Sequence, residues 1–183
     1  MNDLSISTDL VEQCISGNRD AQYALYRKYS AAMYNICLRM LGTKMDAEDV
    51  LQTAFVDIFR NLKKFRGEST IGSWIKRIVI NNCLNHIKKN KVIISDLSQN
   101  EYELATVEEE KVRYDINAVH KAIMKLPEGY RVVLNLYLLE GYSHEEIGTI
   151  LNITTSTSKS QYSRAKAKLK EIIRSRDHLK IEL

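Results

Sequence analysis

The side chains best suited to chemistry form a polar and basic stretch that begins near residue 155. Tyr162, Ala165 and Leu169 keep the helical spacing of a buried stripe, so the remaining side chains fall on the other face of one helix. Polar groups at the start of such a helix can form hydrogen bonds with base edges in a DNA major groove, and basic side chains further along the helix can contact phosphates. The candidate base-reading residues are Ser156, Lys159, Ser160, Ser163 and Arg164, and the candidate phosphate contacts are Lys166, Lys168 and Lys170.

Catalysis and metal binding have fewer candidates. Asp46, Glu48 and Asp49 form the one tight acidic cluster, which a nucleic-acid enzyme would need for a metal or for proton transfer. Acids at the start of a helix also complement its free N–H groups and its dipole, so capping explains the cluster. Cys83 and His86 stand one helical turn apart, but a zinc site requires a second ligand pair. The sequence therefore predicts no catalytic group, no metal and no cofactor.

A short helix and a tight turn precede the polar stretch and would position it. Ser143, with Glu146 three residues later, is the pattern of a capping box at a helix start. Asn152 suits a left-handed turn, and the next helix begins at about Thr155. These features predict a DNA-binding helix-turn-helix. The alternative is a solvated basic helix on an ordinary bundle, but the cap, the turn and the basic face all favour DNA binding.

The first half of the chain predicts four further helices, because apolar residues recur there at helical spacing in four stretches before residue 90. The tyrosines of the second stretch are predicted to belong to the core. The acids from Asp46 to Asp49 are predicted to lie in the first turn of the third helix. Residues 66–70 break the pattern and predict a loop.

Composition and charge bound the fold. The 183 residues contain seven glycines and one proline. These are too few for the turns of an all-β protein, and they favour an all-α fold. Basic residues dominate residues 60–91 and 155–180, and an acidic segment separates them, which suggests two tethered polyanion-binding domains. We expect one domain over residues 1–90, a flexible acidic linker over 91–113 and a helix-turn-helix domain over 114–183.

The cysteines indicate a compartment. Cys14, Cys37 and Cys83 are an odd number at wide spacing, and the polar N-terminus lacks the apolar core of a signal peptide. Both features predict a cytoplasmic protein with buried, reduced thiols. No stretch approaches the roughly 18 consecutive apolar residues of a membrane span.

Three stretches resemble one known family, in the family's order. DAEDVLQTAFVDIF (46–59) and FRGESTIGSWIKRIVINNCLN (65–85) resemble the N-terminal domain of bacterial extracytoplasmic-function (ECF) sigma factors. LPEGYRVVLNLYLLEGYSHEEIGTILNITTSTSKSQYSRAKAKLK (126–170) resembles their C-terminal domain. A helix-turn-helix alone would be a weak match, whereas ordered motifs along nearly the whole chain make the resemblance specific.

The resemblance implies an alternative sigma factor, which binds core RNA polymerase, directs it to specific promoters and helps to melt the DNA without catalysing a reaction. The implied contacts with the polymerase clamp are Asp49, Gln52, Thr53 and Val56. The implied contacts with the minus-ten element are Phe65, Arg66, Ser69, Thr70, Trp74, Lys76, Arg77 and Asn81. The implied contacts with the minus-thirty-five element are Ser156, Thr157, Lys159, Ser160, Ser163 and Arg164. The polymerase flap and an anti-sigma factor are further implied partners.

The residues of the N-terminal domain are compatible with DNA melting. Melting takes bases out of the stack, and a loop with Ser69, Thr70 and the nearby Phe65 can hold an extruded base. Trp74 is predicted mainly as a core residue rather than as a stacking platform.

Several positions depart from the family pattern. Thr53 stands where an acid commonly follows the glutamine, which shifts the clamp contact towards Asp49 and Gln52. Ser158 replaces a usual apolar residue and Gln161 a usual basic one, which affects base preference.

Two other functions compete with this interpretation. A helix-turn-helix regulator would bind duplex DNA without polymerase, but it would leave residues 46–85 unexplained. A nucleic-acid enzyme would have to use the acidic cluster that helix capping already explains.

Overall fold

The computed structural model describes residues 8–91 and 116–178. The chain divides into two compact units, Met1–Ser95 and Asp96–Leu183. Every regular element within the described ranges is a helix, so the predicted all-α class is confirmed. The expected linker over residues 91–113 lies outside the described residues, apart from Lys91 at the end of a helix.

Within residues 8–91 the first unit has four α-helices, as the apolar spacing predicted. They are α1 (Thr8–Ile15), α2 (Arg19–Leu41), α3 (Lys44–Asn61) and α4 (Ile71–Lys91), with a 3₁₀ turn (Leu62–Lys64) after α3. The helices α2, α3 and α4 pack against one another in all three pairs, and α1 packs against α2 and the 3₁₀ turn. The core between them includes side chains with no exposed surface, among them Leu25, Cys37, Ile58, Ile75 and Val79.

The tyrosines of α2 do not all belong to this core. Tyr23 is 62% exposed and Tyr26 is 36% exposed, although the Tyr26 ring meets the Phe55 ring edge-on at 4.7 Å. The prediction that these tyrosines belong to the core is therefore wrong for Tyr23 and Tyr26, whereas Tyr29 and Tyr34 are half-buried. At about 100° per residue Tyr23 points away from Leu25, and the other helices cover the side of α2 that carries Leu25.

The start of α3 also differs from the prediction. Thr43 is the N-cap, and its hydroxyl oxygen accepts a hydrogen bond from the Asp46 N–H at 3.1 Å. The helix thus begins two residues before Asp46, so Asp46 is the acid of its first turn, and Glu48 and Asp49 lie beyond it. Because both of these acids are exposed and neither caps the helix, they are available for an interface.

The second unit is built around its last helix. Between residues 116 and 178 its α-helices are α5 (Ile116–Ile123), α6 (Glu128–Leu134), α7 (His144–Leu151) and α8 (Thr155–His178). The helices α5, α6 and α7 all pack against α8, and Ile123, Leu126, Leu134 and Ala165 form a buried core cluster. Tyr162 and Leu169 pack against that cluster, which confirms the predicted core stripe of α8.

The helical stretch that begins at Glu128 is not α-helical throughout. It changes after Leu134 into a turn of π-helix (Asn135–Leu139), where the Glu140 N–H donates to the Asn135 carbonyl oxygen at 3.0 Å. None of the described helices is long and apolar enough to cross a membrane.

Candidate nucleic-acid interface

The start of α7 is fixed by a reciprocal pair of hydrogen bonds. The Ser143 hydroxyl oxygen accepts from the Glu146 N–H at 3.2 Å, and the Glu146 Oε2 accepts from the Ser143 N–H at 2.8 Å. The predicted capping box is therefore confirmed. These bonds, the one to the Ser143 backbone first, hold the pKa of Glu146 below its ordinary value. The side chain is anionic at a helix start, where the dipole favours negative charge.

The turn between α7 and α8 is closed by its own backbone. Asn152 is left-handed, with φ 56° and ψ 49°, as the turn was predicted to require. The N–H groups of Asn152 and Ile153 both donate to the Gly148 carbonyl oxygen, the latter at 3.0 Å. The Thr154 hydroxyl oxygen then accepts from the Thr157 N–H at 3.0 Å, which caps the start of α8. The predicted helix-turn-helix is thus present.

The predicted base-reading residues share the first three turns of α8. Three of them, Ser156, Lys159 and Ser160, are exposed, and the other three, Thr157, Ser163 and Arg164, are half-buried. The Thr154 hydroxyl contacts the hydroxyl oxygens of Ser156 at 2.8 Å and Thr157 at 2.7 Å. The face is therefore an array of hydroxyl groups beside the exposed Lys159 ammonium, which suits hydrogen bonding to base edges.

The basic residues further along α8 differ in how they are engaged. The Lys168 ammonium donates to both carboxylate oxygens of Glu171 at 2.8 Å. The Lys166 ammonium lies over the Tyr162 ring, 5.1 Å from its centre. Lys170 is exposed. Because Lys168 already has a carboxylate partner, Lys170 is the stronger candidate for a phosphate contact.

One cluster beside this face has no counterpart in the sequence predictions. The His144 Nδ1 lies 2.9 Å from the Ser158 hydroxyl, and Ser158 has no exposed surface. The His144 ring stacks on Tyr137, with centroids 4.2 Å apart and planes 12° apart. Burial, and then the nearby Lys159 ammonium, lower the pKa of His144 below its ordinary value. The imidazole is therefore neutral near pH 7. An open cleft of about 660 Å³ lies beside it, lined by residues 141–146 and by Lys159.

Within the first unit, the four residues assigned to the polymerase clamp lie together on α3. Asp49, Gln52, Thr53 and Val56 are all exposed and follow one another at helical spacing. Val56 is 46% exposed, a large apolar side chain without cover. The Thr53 hydroxyl donates to the Asp49 carbonyl oxygen at 3.0 Å, so this side chain is engaged with its own helix.

The loop between α3 and α4 carries further predicted residues. Arg66, Ser69 and Thr70 are exposed there. The half-buried rings of Phe65 and Trp74 meet across the loop with centroids 5.6 Å apart, so Trp74 is neither fully core nor a free platform.

The start of α4 extends this surface. The Thr70 hydroxyl oxygen accepts from the Ser73 N–H at 3.2 Å, as a helix cap does. The exposed Arg77 and Asn81 continue from Thr70 along one helical stripe. Lys76 is half-buried and lies about 100° to the side of Arg77, so it is the predicted residue that the stripe leaves out.

Metal binding has no candidate in the described part of the chain, where no three histidine, cysteine or acidic side chains cluster suitably. Cys14, Cys37 and Cys83 are buried thiols, as predicted.

Comparison with known proteins gives matches over both units. The family model described as sigma-70 region 2 matches residues 25–92, and the one described as sigma-70, region 4 matches residues 116–169. The chain is 32% identical over 170 residues to the RNA polymerase sigma-H factor of Pseudomonas aeruginosa, covering 86% of this chain and 88% of that protein. It is 29% identical over 177 residues to the ECF RNA polymerase sigma factor SigW of Bacillus subtilis, covering 90% of this chain and 95% of that protein.

A solved structure shares the fold. It is the sigma factor RpoE of Bartonella quintana, in complex with the anti-sigma factor NepR, with a TM-score of 0.54 and 22% sequence identity. The similarity covers 83% of this chain and 96% of that one.

Proposed function

The chain belongs to the ECF group of sigma-70 RNA polymerase sigma factors, and from this premise we propose how its two domains divide the work of starting transcription. It is an alternative sigma factor that binds core RNA polymerase and directs it to specific promoters. The ordered match of both regions is the observation that carries this conclusion, because a helix-turn-helix regulator accounts for residues 116–169 alone.

The N-terminal domain, taken as residues 1–90, binds the polymerase clamp and melts the minus-ten element. The exposed α3 stripe supports the clamp contact, since it combines the Asp49 carboxylate with the uncovered Val56. Such a patch of mixed character is typical of protein interfaces. The α3–α4 loop supports the melting role, because Ser69 and Arg66 are exposed beside the Phe65 and Trp74 rings. An extruded base would find hydrogen-bond groups and an aromatic surface there.

The C-terminal domain, taken as residues 114–183, reads the minus-thirty-five element through the start of α8. The hydroxyl array and the Lys159 ammonium support this assignment. The contact with the polymerase flap falls on the π-helical turn, where Leu138 is 55% and Leu139 is 43% exposed. Exposed neighbouring leucines favour an apolar partner surface.

The chain supplies no catalytic group of its own, because RNA synthesis is the work of the polymerase it joins. It acts in the cytoplasm, where the polymerase meets the chromosome. An anti-sigma factor is a further partner, since the related RpoE fold was solved with one.

The test is a gel-shift titration of promoter DNA at fixed salt, with and without core polymerase. Two small tethered modules gain affinity when both are held on one polymerase, so specific binding should require the core enzyme. Equal specific affinity without polymerase would instead support a helix-turn-helix regulator.

A further inference from the structure

A partly buried hydrogen bond lies next to the proposed base-reading face. Ser158 sits in the first turn of α8, between Thr157 and Lys159. Its side chain has no exposed surface, and its hydroxyl oxygen lies 2.9 Å from the His144 Nδ1. A buried hydroxyl costs free energy unless it is bonded, so this contact constrains how α8 sits on α7.

His144 is held in place from several directions. It is the first residue of α7, whose start is fixed by the bonds between Ser143 and Glu146. Its ring stacks on Tyr137 at 4.2 Å and lies 5.7 Å from the Tyr162 ring. The imidazole would lose these contacts if it swung away, and it therefore presents its Nδ1 to α8 in one direction.

We propose that His144 is a positioning residue for promoter recognition: through Ser158 it sets the rotation of α8 about its axis, and thereby the direction in which Lys159 points. This inference rests on the proposed function of α8. Hydrogen bonds to base edges weaken steeply once distance and angle depart from their optimum. Attraction to phosphates depends little on sequence. A small rotation of α8 should therefore lower discrimination between promoters more than it lowers total binding.

Two substitutions separate the hydrogen bond from the ring stack. His144→Phe keeps a ring over Tyr137 but has no nitrogen, whereas His144→Asn has no ring but carries an amide near the position of Nδ1. Each variant is assembled with core polymerase and transcribes a promoter library that is randomised in the minus-thirty-five element. His144→Phe should lower the ratio between the preferred element and single mismatches by about tenfold, the scale of one base contact. His144→Asn should restore most of that ratio.

Ser158→Ala provides an independent variant, because it removes only the hydroxyl and alanine is well accepted in a helix. It should cause the same loss of discrimination, and the double variant His144→Phe, Ser158→Ala should lose no more than either single variant. Circular dichroism checks that each variant is folded. If His144→Phe does not fold, the inference is tested by Ser158→Ala alone.

The inference is overturned if Ser158→Ala keeps the wild-type ratio, or if His144→Asn loses as much discrimination as His144→Phe. A wild-type chain that stimulates no polymerase-dependent initiation from any library member would overturn the proposed function instead. A discriminating wild type with unaffected variants would leave the proposed function standing and remove only the role of His144.

Discussion

A β-carbon on Gly148 would lie 2.9 Å from the carbonyl oxygen of Ile153, closer than such atoms approach in proteins. The Gly148 carbonyl oxygen in turn accepts from the Ile153 N–H at 3.0 Å. The chain thus turns back onto the backbone of α7 at the residue without a side chain. The angle between the two helices of the helix-turn-helix depends on that close approach.

Gly148→Ala should destabilise the C-terminal domain, because the atom in the way belongs to the backbone and cannot rotate aside. We expect the free energy of unfolding to fall by about 1 to 3 kcal/mol, as for other overpacked sites. Gly129→Ala is the matched control, since nothing lies within 4 Å of its added carbon. That change should be neutral or stabilise by up to about 1 kcal/mol. Urea unfolding, monitored by hydrogen exchange of amides in α7 and α8, measures the free energy of unfolding of both variants. Equal values for Gly148→Ala and Gly129→Ala would contradict the close approach.

The pH dependence of the same domain should reflect His144. Its pKa in the folded domain is lowered by burial and then by Lys159, from an ordinary value of 6.5. The unfolded chain therefore takes up a proton at a pH where the folded domain does not. Stability is complete above the ordinary pKa and is lost as the pH falls through it towards the lowered one.

Two ionisable groups beside His144 have pKa values shifted away from this pH range. The Tyr137 ring stacks on the imidazole and the Tyr162 ring is tilted by 60° to it, and burial, followed by the nearby Tyr137, raises the pKa of Tyr162. Glu145 and Glu146 line the same cleft, and the pKa of Glu146 is lowered from an ordinary 4.5. Wild type and His144→Asn are compared by hydrogen exchange in α7 and α8 from about pH 7.5 to about 5.5. The variant should lose less stability on acidification, and parallel curves would contradict the assignment to His144.

The α3 stripe should matter for polymerase binding and not for folding. Asp49→Arg reverses a charge on an exposed position, and Gln52→Ala removes an exposed amide. Both should weaken binding to core polymerase while the melting temperature stays unchanged. Glu12→Arg, at an exposed site on α1, is the control for the change in charge. Normal core affinity of both α3 variants would remove this stripe from the interface.

Residues on α8 should separate into two kinds. Lys159→Ala should change the preferred minus-thirty-five sequence, because Lys159 is exposed among the hydroxyl groups at the start of the helix. Lys170→Ala should weaken binding to all sequences alike and make it less dependent on salt, as the loss of a phosphate contact does. The two variants are compared by transcription, at two salt concentrations, from a promoter library that is randomised in the minus-thirty-five element. The orientation of α8 is wrong if Lys170→Ala shifts the preference and Lys159→Ala does not.

Features that depend on neighbours in the sequence could be predicted. The hydrogen bonds between Ser143 and Glu146 join residues three apart, and asparagine tolerates the left-handed conformation that Asn152 adopts. Both predictions are therefore confirmed. Apolar spacing likewise located the helices, since burial on one face imposes a period. The predicted first turn of α3 extended too far, because the Thr43 hydroxyl caps the helix and places Asp46 alone among these acids in that turn.

Features that depend on packing between helices could not be predicted from the sequence. Tyr23 is exposed because other helices cover α2 on one side only, which no spacing within α2 reveals. The π-helical turn after Leu134 shifts the hydrogen-bonding pattern, but its sequence contains no proline or glycine that would predict the change. His144 and Ser158 are fourteen residues apart, and their contact exists only once α7 has packed against α8.

Whether this chain directs polymerase to promoters is measured by run-off transcription with purified core polymerase on genomic promoter fragments. Adding the chain should start transcripts at a defined set of promoters, each with its own minus-thirty-five and minus-ten elements. Asp49→Arg should abolish these starts, whereas Glu12→Arg should leave them unchanged. A chain that bound those fragments specifically by itself and produced no new start sites with core polymerase would not be a sigma factor.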